Sequence, residues 1–149
     1  MRIKELVNKK PKQGAGALIY NREDDKYLFI LRSDKVNSPL TWAVPGGSVD
    51  PGEHHKAAAI REIQEEVGYD VSDCPMELMC VNRDFWPRFE FFNYAIIVPK
   101  RFTPVLNWES EDSVWCDLDN IPEPKHWGLN MLLSNDRAAD RLKKFLDNH

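Results

Sequence analysis

A chain of 149 residues with 42% hydrophobic and 30% charged residues has the make-up of an ordinary globular domain large enough to bury a core. No apolar run reaches the length of a membrane span, and the opening MRIKELVNKKPK has no apolar leader core, so a cytoplasmic location is expected. The net charge of −4 argues against a dedicated nucleic-acid binder. That charge is unevenly spread: residues 1–13 hold Arg2, Lys4, Lys9, Lys10 and Lys12 against Glu5, a balance of +4 that leaves −8 for the rest. The basic arm reads as a flexible terminus, with contact to phosphate as the alternative.

Residues 14–21 and 26–32 are strand patterns separated by the polar turn NREDD, which predicts a β-hairpin. Arg32 ends the second strand and is a candidate phosphate contact, or else a partner for a surface carboxylate. A loop over 33–40 leads through Thr41-Trp42-Ala43-Val44 into a glycine-rich loop with Gly46, Gly47, Pro51 and Gly52. A helix is expected from Glu53 or His54 to Val67, stopped by Gly68 in the left-handed conformation. Residues 76–84 and 89–98 read as two long strands joined by 85–88. A loop over 100–112, a short strand over 113–117 and a connection over 118–124 follow. Residues 135–147 form an amphipathic helix presenting Ala138, Leu142, Phe145 and Leu146. Strands interleaved with two helices, one central and one terminal, indicate an α/β sandwich in a single domain over 1–149. Cys74, Cys80 and Cys116 form no CxxC pair and are expected as reduced thiols. His54, His55, His126 and His149 show no ligand spacing and read as surface residues.

The central helix divides its faces. Ile60, Ile63 and Val67 form an apolar stripe that wants a core. Glu62, Glu65 and Glu66 lie at i, i+3 and i+4, centred roughly 140° around the helix from that stripe. Carboxylates at this spacing repel one another. A solvated face is one explanation; a hard divalent cation such as Mg²⁺, which prefers oxygen ligands, is the other. Arg61 is about 100° from Glu62, which points it toward a neighbouring carboxylate, such as Glu53, rather than toward substrate.

The pattern Gly47, five residues, Glu53, seven residues, Arg61-Glu62-Ile63-Gln64-Glu65-Glu66-Val67-Gly68 resembles the box of the Nudix hydrolase family. One position departs, Tyr69, where the family usually has Ile, Leu or Val; it is a packing position. The resemblance implies a mixed sheet between helices, an α/β/α sandwich. It also implies MutT-like, Mg²⁺-dependent hydrolysis of a phosphoanhydride in a nucleoside diphosphate linked to another moiety, with Mn²⁺ as an alternative ion. A catalytically weak nucleotide-binding or sensor domain that keeps the fold is the other reading. By the resemblance Glu62, Glu65 and Glu66 ligate metal, and the Gly46 carbonyl, just before the box, joins them. Glu109, ahead of Trp115, adds a carboxylate from the acidic loop, with Glu111 as second choice. The general base is left open between Glu62 and Glu109.

The implied partner is a small-molecule nucleotide: a modified nucleoside triphosphate, a dinucleoside polyphosphate, a nucleotide sugar or a capped RNA end. Other nucleic acid and membranes are not expected, and a homodimer is allowed. Phe85 and Trp86 lie about where dinucleoside-polyphosphate members often place a tyrosine. Either ring could stack on a base or simply pack.

Overall fold

The first strand runs two residues further back than expected. β1, Lys12–Asn21, is buried along nearly its whole length and sits at the centre of the sheet. Its alternation sends Ala15, Ala17 and Ile19 to one side and Leu18 and Tyr20 to the other, so both faces of the sheet must be covered. β2, Lys26–Arg32, folds back antiparallel over Ile19–Asn21, making the expected hairpin. The computed structural model describes residues 10–85 and 88–149, with Phe85 described in its backbone alone. Trp86, the side chain of Phe85 and residues 1–9 of the basic arm lie outside the described residues.

β3, Trp42–Ala43, pairs with β2, and β4, Gly46–Ser48, pairs antiparallel with β1. The glycine-rich stretch expected as a loop is therefore partly strand. The reason is steric: a Cβ on Gly46 would lie 2.4 Å from the Ala15 carbonyl oxygen, and one on Gly16 2.4 Å from that of Pro45. Only glycines let these two backbones come so close.

β5, Met76–Phe85, and β6, Arg88–Val98, form a long antiparallel pair. β6 also runs parallel to β1 from Lys12↔Phe89 to Asn21↔Val98, which makes the sheet mixed. The order is β3-β2-β1-β6-β5, and β7, Ser110–Cys116, pairs with β2. β7 begins three residues earlier than the expected strand, inside the acidic loop. β5 carries a register shift between Leu78 and Cys80. Met76 and Leu78 pack on the Ala15–Ile19 side, whereas Met79 and Cys80 pack on the Leu18–Tyr20 side. The extra residue re-aims the strand, so Cys80, Asn82 and Asp84 stand on one face opposite Asn93, Phe91 and Phe89.

α1, His55–Val67, covers the face of Ala15, Ala17 and Ile19 with Ala58, Ala59, Ile63 and Val67. His54 caps it, its Nδ1 accepting from the Lys56 N–H at 3.1 Å. Gly68, at φ 72°, ends it by donating its N–H to Gln64 O at 2.9 Å. The opposite face is covered by α2, Trp127–Leu133, and α3, Asp136–Asp147. α3 buries Ala138, Leu142 and Phe145 as its pattern requires, with Leu146 packed at the margin.

The expectation of two helices is thus corrected to three α-helices among the described residues. α2 has seven residues, too few to show a period, and depends on its cap and on burial of Leu129 and Leu132. The result is an α/β/α sandwich with a mixed sheet between helices. Among the described residues no helix is long and apolar enough to cross a membrane.

Candidate functional site

Arg61 is the hub of the acidic end of the site. Its Nε and Nη2 donate to the two oxygens of Glu53, each at 2.9 Å, a paired geometry that guanidinium is shaped for. Nη1 reaches Glu62 at 3.0 Å and Glu65 at 3.3 Å, and Nη2 also donates to Ser48 O at 2.9 Å. Glu53 additionally accepts the Asp50 N–H, and these donors, Arg61 first, hold its carboxyl down at about 2. The loop, β4 and the helix are therefore tied together by one side chain.

Glu62 lies against β4: a Cβ on Gly47 would fall 2.2 Å from its Oε2. Burial raises the Glu62 pKa against the pull of Arg61. Glu66 is deeper, only 7% exposed, and accepts from the Gly46 N–H at 2.9 Å and Ser110 Oγ at 3.1 Å. Burial pushes it up to about 7, with the charges of Glu109 and Glu62 adding to the rise. Glu109 is fixed through its backbone: its N–H donates to Asn107 Oδ1 at 3.0 Å, and its carbonyl accepts from Ser33 N at 2.8 Å.

The carboxylates of Glu62, Glu65, Glu66 and Glu109 present hard oxygens, and their mutual repulsion is what a divalent cation relieves. Among the described residues no three carboxylate, histidine or cysteine side chains already converge as a ligand shell. Glu62 and Glu65 are drawn to Arg61 instead. What suits the set to a hard divalent cation is its chemistry and not a preformed shell.

Glu62, Glu65, Gly46 and Glu109 border one cleft of about 780 Å³, a volume suited to a small ligand. Arg32 borders it too, but its Nε and Nη2 donate to Asn37 O at 2.9 and 2.7 Å, a partner no sequence pattern suggested. Glu111 is exposed on β7 and is not among the cleft residues. The strand residues Asn82, Phe91 and Asn93, and Trp127 of α2, also line the cleft, and sequence reading passed over them. Their one sequence signal was asparagine inside aromatic and β-branched runs, where it is uncommon.

Two histidines are not the surface residues expected. His55 Nδ1 meets the Tyr94 hydroxyl, and its ring stacks on Phe92 at 3.9 Å. His126 borders the cleft and caps α2, its Nδ1 accepting from the Gly128 N–H at 3.0 Å. Burial, then the charge of Arg32, hold its pKa down at about 4, from a usual 6.5. A depressed folded-state pKa means stability is complete above about pH 6.5 and falls as pH drops toward 4, where the unfolded chain takes the proton first. Between pH 7 and 5 we expect a loss of about 1 kcal/mol from this group, allowing for its partial exposure, or roughly 2–4 °C in Tm. His126→Asn keeps a capping oxygen and should lack this part of the loss, as melting curves of both proteins at the two pH values will show.

A family model for the NUDIX domain matches residues 10–133. Over 60 residues the chain is 47% identical to a Bacillus subtilis (strain 168) protein provisionally named as an 8-oxo-dGTP diphosphatase, covering 40% of this chain and 37% of that one. The chain thus matches little more than a third of the Bacillus relative's length. It is 26% identical to the dihydroneopterin triphosphate diphosphatase of Haemophilus influenzae, across 96% of this chain and 92% of the relative. Among solved structures it is similar to a MutT NUDIX hydrolase from Burkholderia pseudomallei, with a TM-score of 0.66 and 26% identity over 83% of this chain and 95% of that one. The NUDIX match spans both the box and the strands that frame it, and the chain belongs to the Nudix family.

Proposed function

We propose that the cleft hydrolyses a phosphoanhydride bond in a nucleoside diphosphate linked to another moiety, with Mg²⁺ as the working ion and Mn²⁺ as a substitute. One observation supports this above the others: Glu62, Glu65 and Glu109 border a cleft of nucleotide size while Glu66 is buried just behind it, tied to Gly46 and Ser110. The residues that would hold the ion are Glu62, Glu65, Glu66 and Glu109 with the Gly46 carbonyl. Bound there, it would neutralise the diphosphate and lower the pKa of a water. A carboxylate, Glu62 or Glu109, takes a proton from the attacking water; the remaining hydroxyl joins phosphorus as the bridging P–O bond breaks. Arg61 holds Glu53, Glu62 and Glu65 in place, and Arg32, which borders the same cleft, would be the phosphate contact once it leaves Asn37. No nucleophilic side chain is needed, since positioning and charge stabilisation dominate phosphoryl transfer. The names of the Bacillus and Haemophilus relatives both describe diphosphatases of nucleotide-like triphosphates, which agrees with this class of substrate.

The test is a broad panel of nucleotides with Mg²⁺, assayed for release of phosphate or pyrophosphate. At least one member should be turned over, and chelation should abolish the reaction. Tight binding without turnover of any member, at ample metal, would make the chain a nucleotide sensor instead.

A further inference from the structure

The cleft has a second half that the carboxylate chemistry does not use. Leu18, Tyr20, Ala95 and Ile97 fill the core beneath α2 and α3, and the two-residue period of β1 and β6 carries that face outward to Gly16, Gly14, Asn93, Phe91 and Phe89. The glycines leave this floor open: a Cβ on Gly14 would lie 2.8 Å from Phe91 Cδ2. The shift at Leu78/Cys80 turns Asn82 onto the same floor, where it pairs across from Phe91. Trp127, 45% exposed, borders it from α2.

Two asparagines here are almost wholly buried, Asn93 at 2% and Asn82 at 6% exposure. A buried amide is costly unless its hydrogen bonds are met. Asn82 Nδ2 donates to Gly128 O at 3.2 Å, which fixes it to α2. Asn93 is served poorly: its Nδ2 donates to Phe91 O at 3.4 Å and meets Cys80 Sγ at 3.8 Å. Among the described residues nothing donates to its Oδ1, although no sealed polar side-chain atom there lacks a partner. That oxygen therefore keeps its small exposed area on the cleft, beside aromatic rings. An acceptor presented next to ring faces suits a flat ligand with an N–H on its edge.

We propose that this half of the cleft is a nucleobase subsite, in which Asn93, with Asn82 braced beside it, reads an N–H-bearing edge of a base lying against Phe91 and Trp127. The inference rests on the nucleotide reading above and assigns the end of the substrate remote from the diphosphate. It places base contact on β5, β6 and α2, residues apart from the Phe85–Trp86 pair considered from sequence. A site built around a buried hydrogen-bonding group rejects ligands that leave it unmet much more strongly than an apolar slot does.

The experiment compares kcat/KM for ATP, GTP, CTP and UTP, with inorganic tripolyphosphate as a base-free probe, in the parent, Asn93→Leu and Trp127→Ala. Leucine is close in size and removes an amide held only by a long bond to Phe91 O and a weak contact with Cys80 Sγ, and Trp127 is partly exposed, so both variants should fold. The parent should rank the four nucleotides at least tenfold apart. Asn93→Leu should collapse that ranking to within about threefold, and Trp127→Ala should raise KM for all four about tenfold, with tripolyphosphate unaffected in both. A parent with no ranking, or an Asn93→Leu variant that keeps it, overturns the subsite while leaving the hydrolase reading in place. If the parent turns over none of the four nucleotides, the broad panel described above decides the hydrolase reading, and calorimetry with the four nucleoside monophosphates decides the subsite. Selective binding to the parent that is lost in Asn93→Leu supports it; equal binding to both, or none to the parent, removes it.

Discussion

Replacing Glu66 with glutamine is expected to lower turnover at least about a hundredfold and to leave the metal-free protein as stable as the parent, or more so. Losing even groups behind a metal's direct ligands typically costs 10–100-fold, and Glu66 is proposed as a ligand. The stability half follows from its surroundings. Glutamine is nearly isosteric and no worse in a helix. Its carbonyl can take over the Gly46 N–H, and its amide can donate to Ser110 Oγ, so both existing contacts keep a counterpart. What disappears is a charge that burial and the Glu62 and Glu109 carboxylates already oppose. Mg²⁺ should raise the parent's Tm by binding the native state, and that increment should shrink in the variant. Melting curves with and without Mg²⁺, beside an activity assay, separate the two possibilities. A variant that melts lower without metal yet keeps most of its activity would show that Glu66 is structural.

The second large effect is expected at Arg61. Lysine keeps the charge but has no fork, so it cannot grip both oxygens of Glu53 and also reach Glu62, Glu65 and Ser48 O. Arg61→Lys should reduce kcat/KM by about 10–100-fold and weaken the Mg²⁺-dependent rise in Tm. The fold itself should survive, because the helix is held by Ala58, Ala59, Ile63 and Val67 against the sheet. Glu53→Gln should have a smaller effect of the same kind. The double variant should lose less than the two single losses multiplied, since both changes break one network. Activity within about threefold of the parent in Arg61→Lys would remove the positioning role.

The central helix is legible in the sequence because two independent signals agree there. Ile63 and Val67 repeat with the helical period, and Gly68 supplies the left-handed stop that φ 72° shows. The long strands are legible for a similar reason, since aromatic and β-branched residues crowd them. Gly46–Ser48 is not, because a three-residue strand of small residues exists only through its pairing with β1. α2 is hidden by its length. The orientation of Asn82 is hidden most completely. Alternation counted forward from Met76 and Leu78 puts it on the α1 face, and the added residue at Met79 reverses that parity. Residues whose place depends on a bulge cannot be found by counting.

The segment between β6 and β7 is fastened to the end of α1 at several points. Tyr69, the one departure from the box pattern, stacks on Phe102 at 4.0 Å, Val105 N–H donates to Val67 O at 2.9 Å, and Asn107 Nδ2 donates to Glu65 O at 3.1 Å. Asn107 then holds the Glu109 N–H. These fastenings split the segment into two stretches of unequal tolerance. Upstream of Phe102 the backbone bears no part of the link to Glu109, and additional residues there could bulge into solvent at little cost. Between Val105 and Ser110 each residue is a link in a short rigid arm hinged on the helix that carries the other carboxylates. One residue inserted there would swing Glu109 out of register with Glu62 and Glu66 while the sandwich stayed whole. Divergence in this chain's lineage should therefore accumulate as length changes near residues 99–101 and as side-chain changes alone over 105–110.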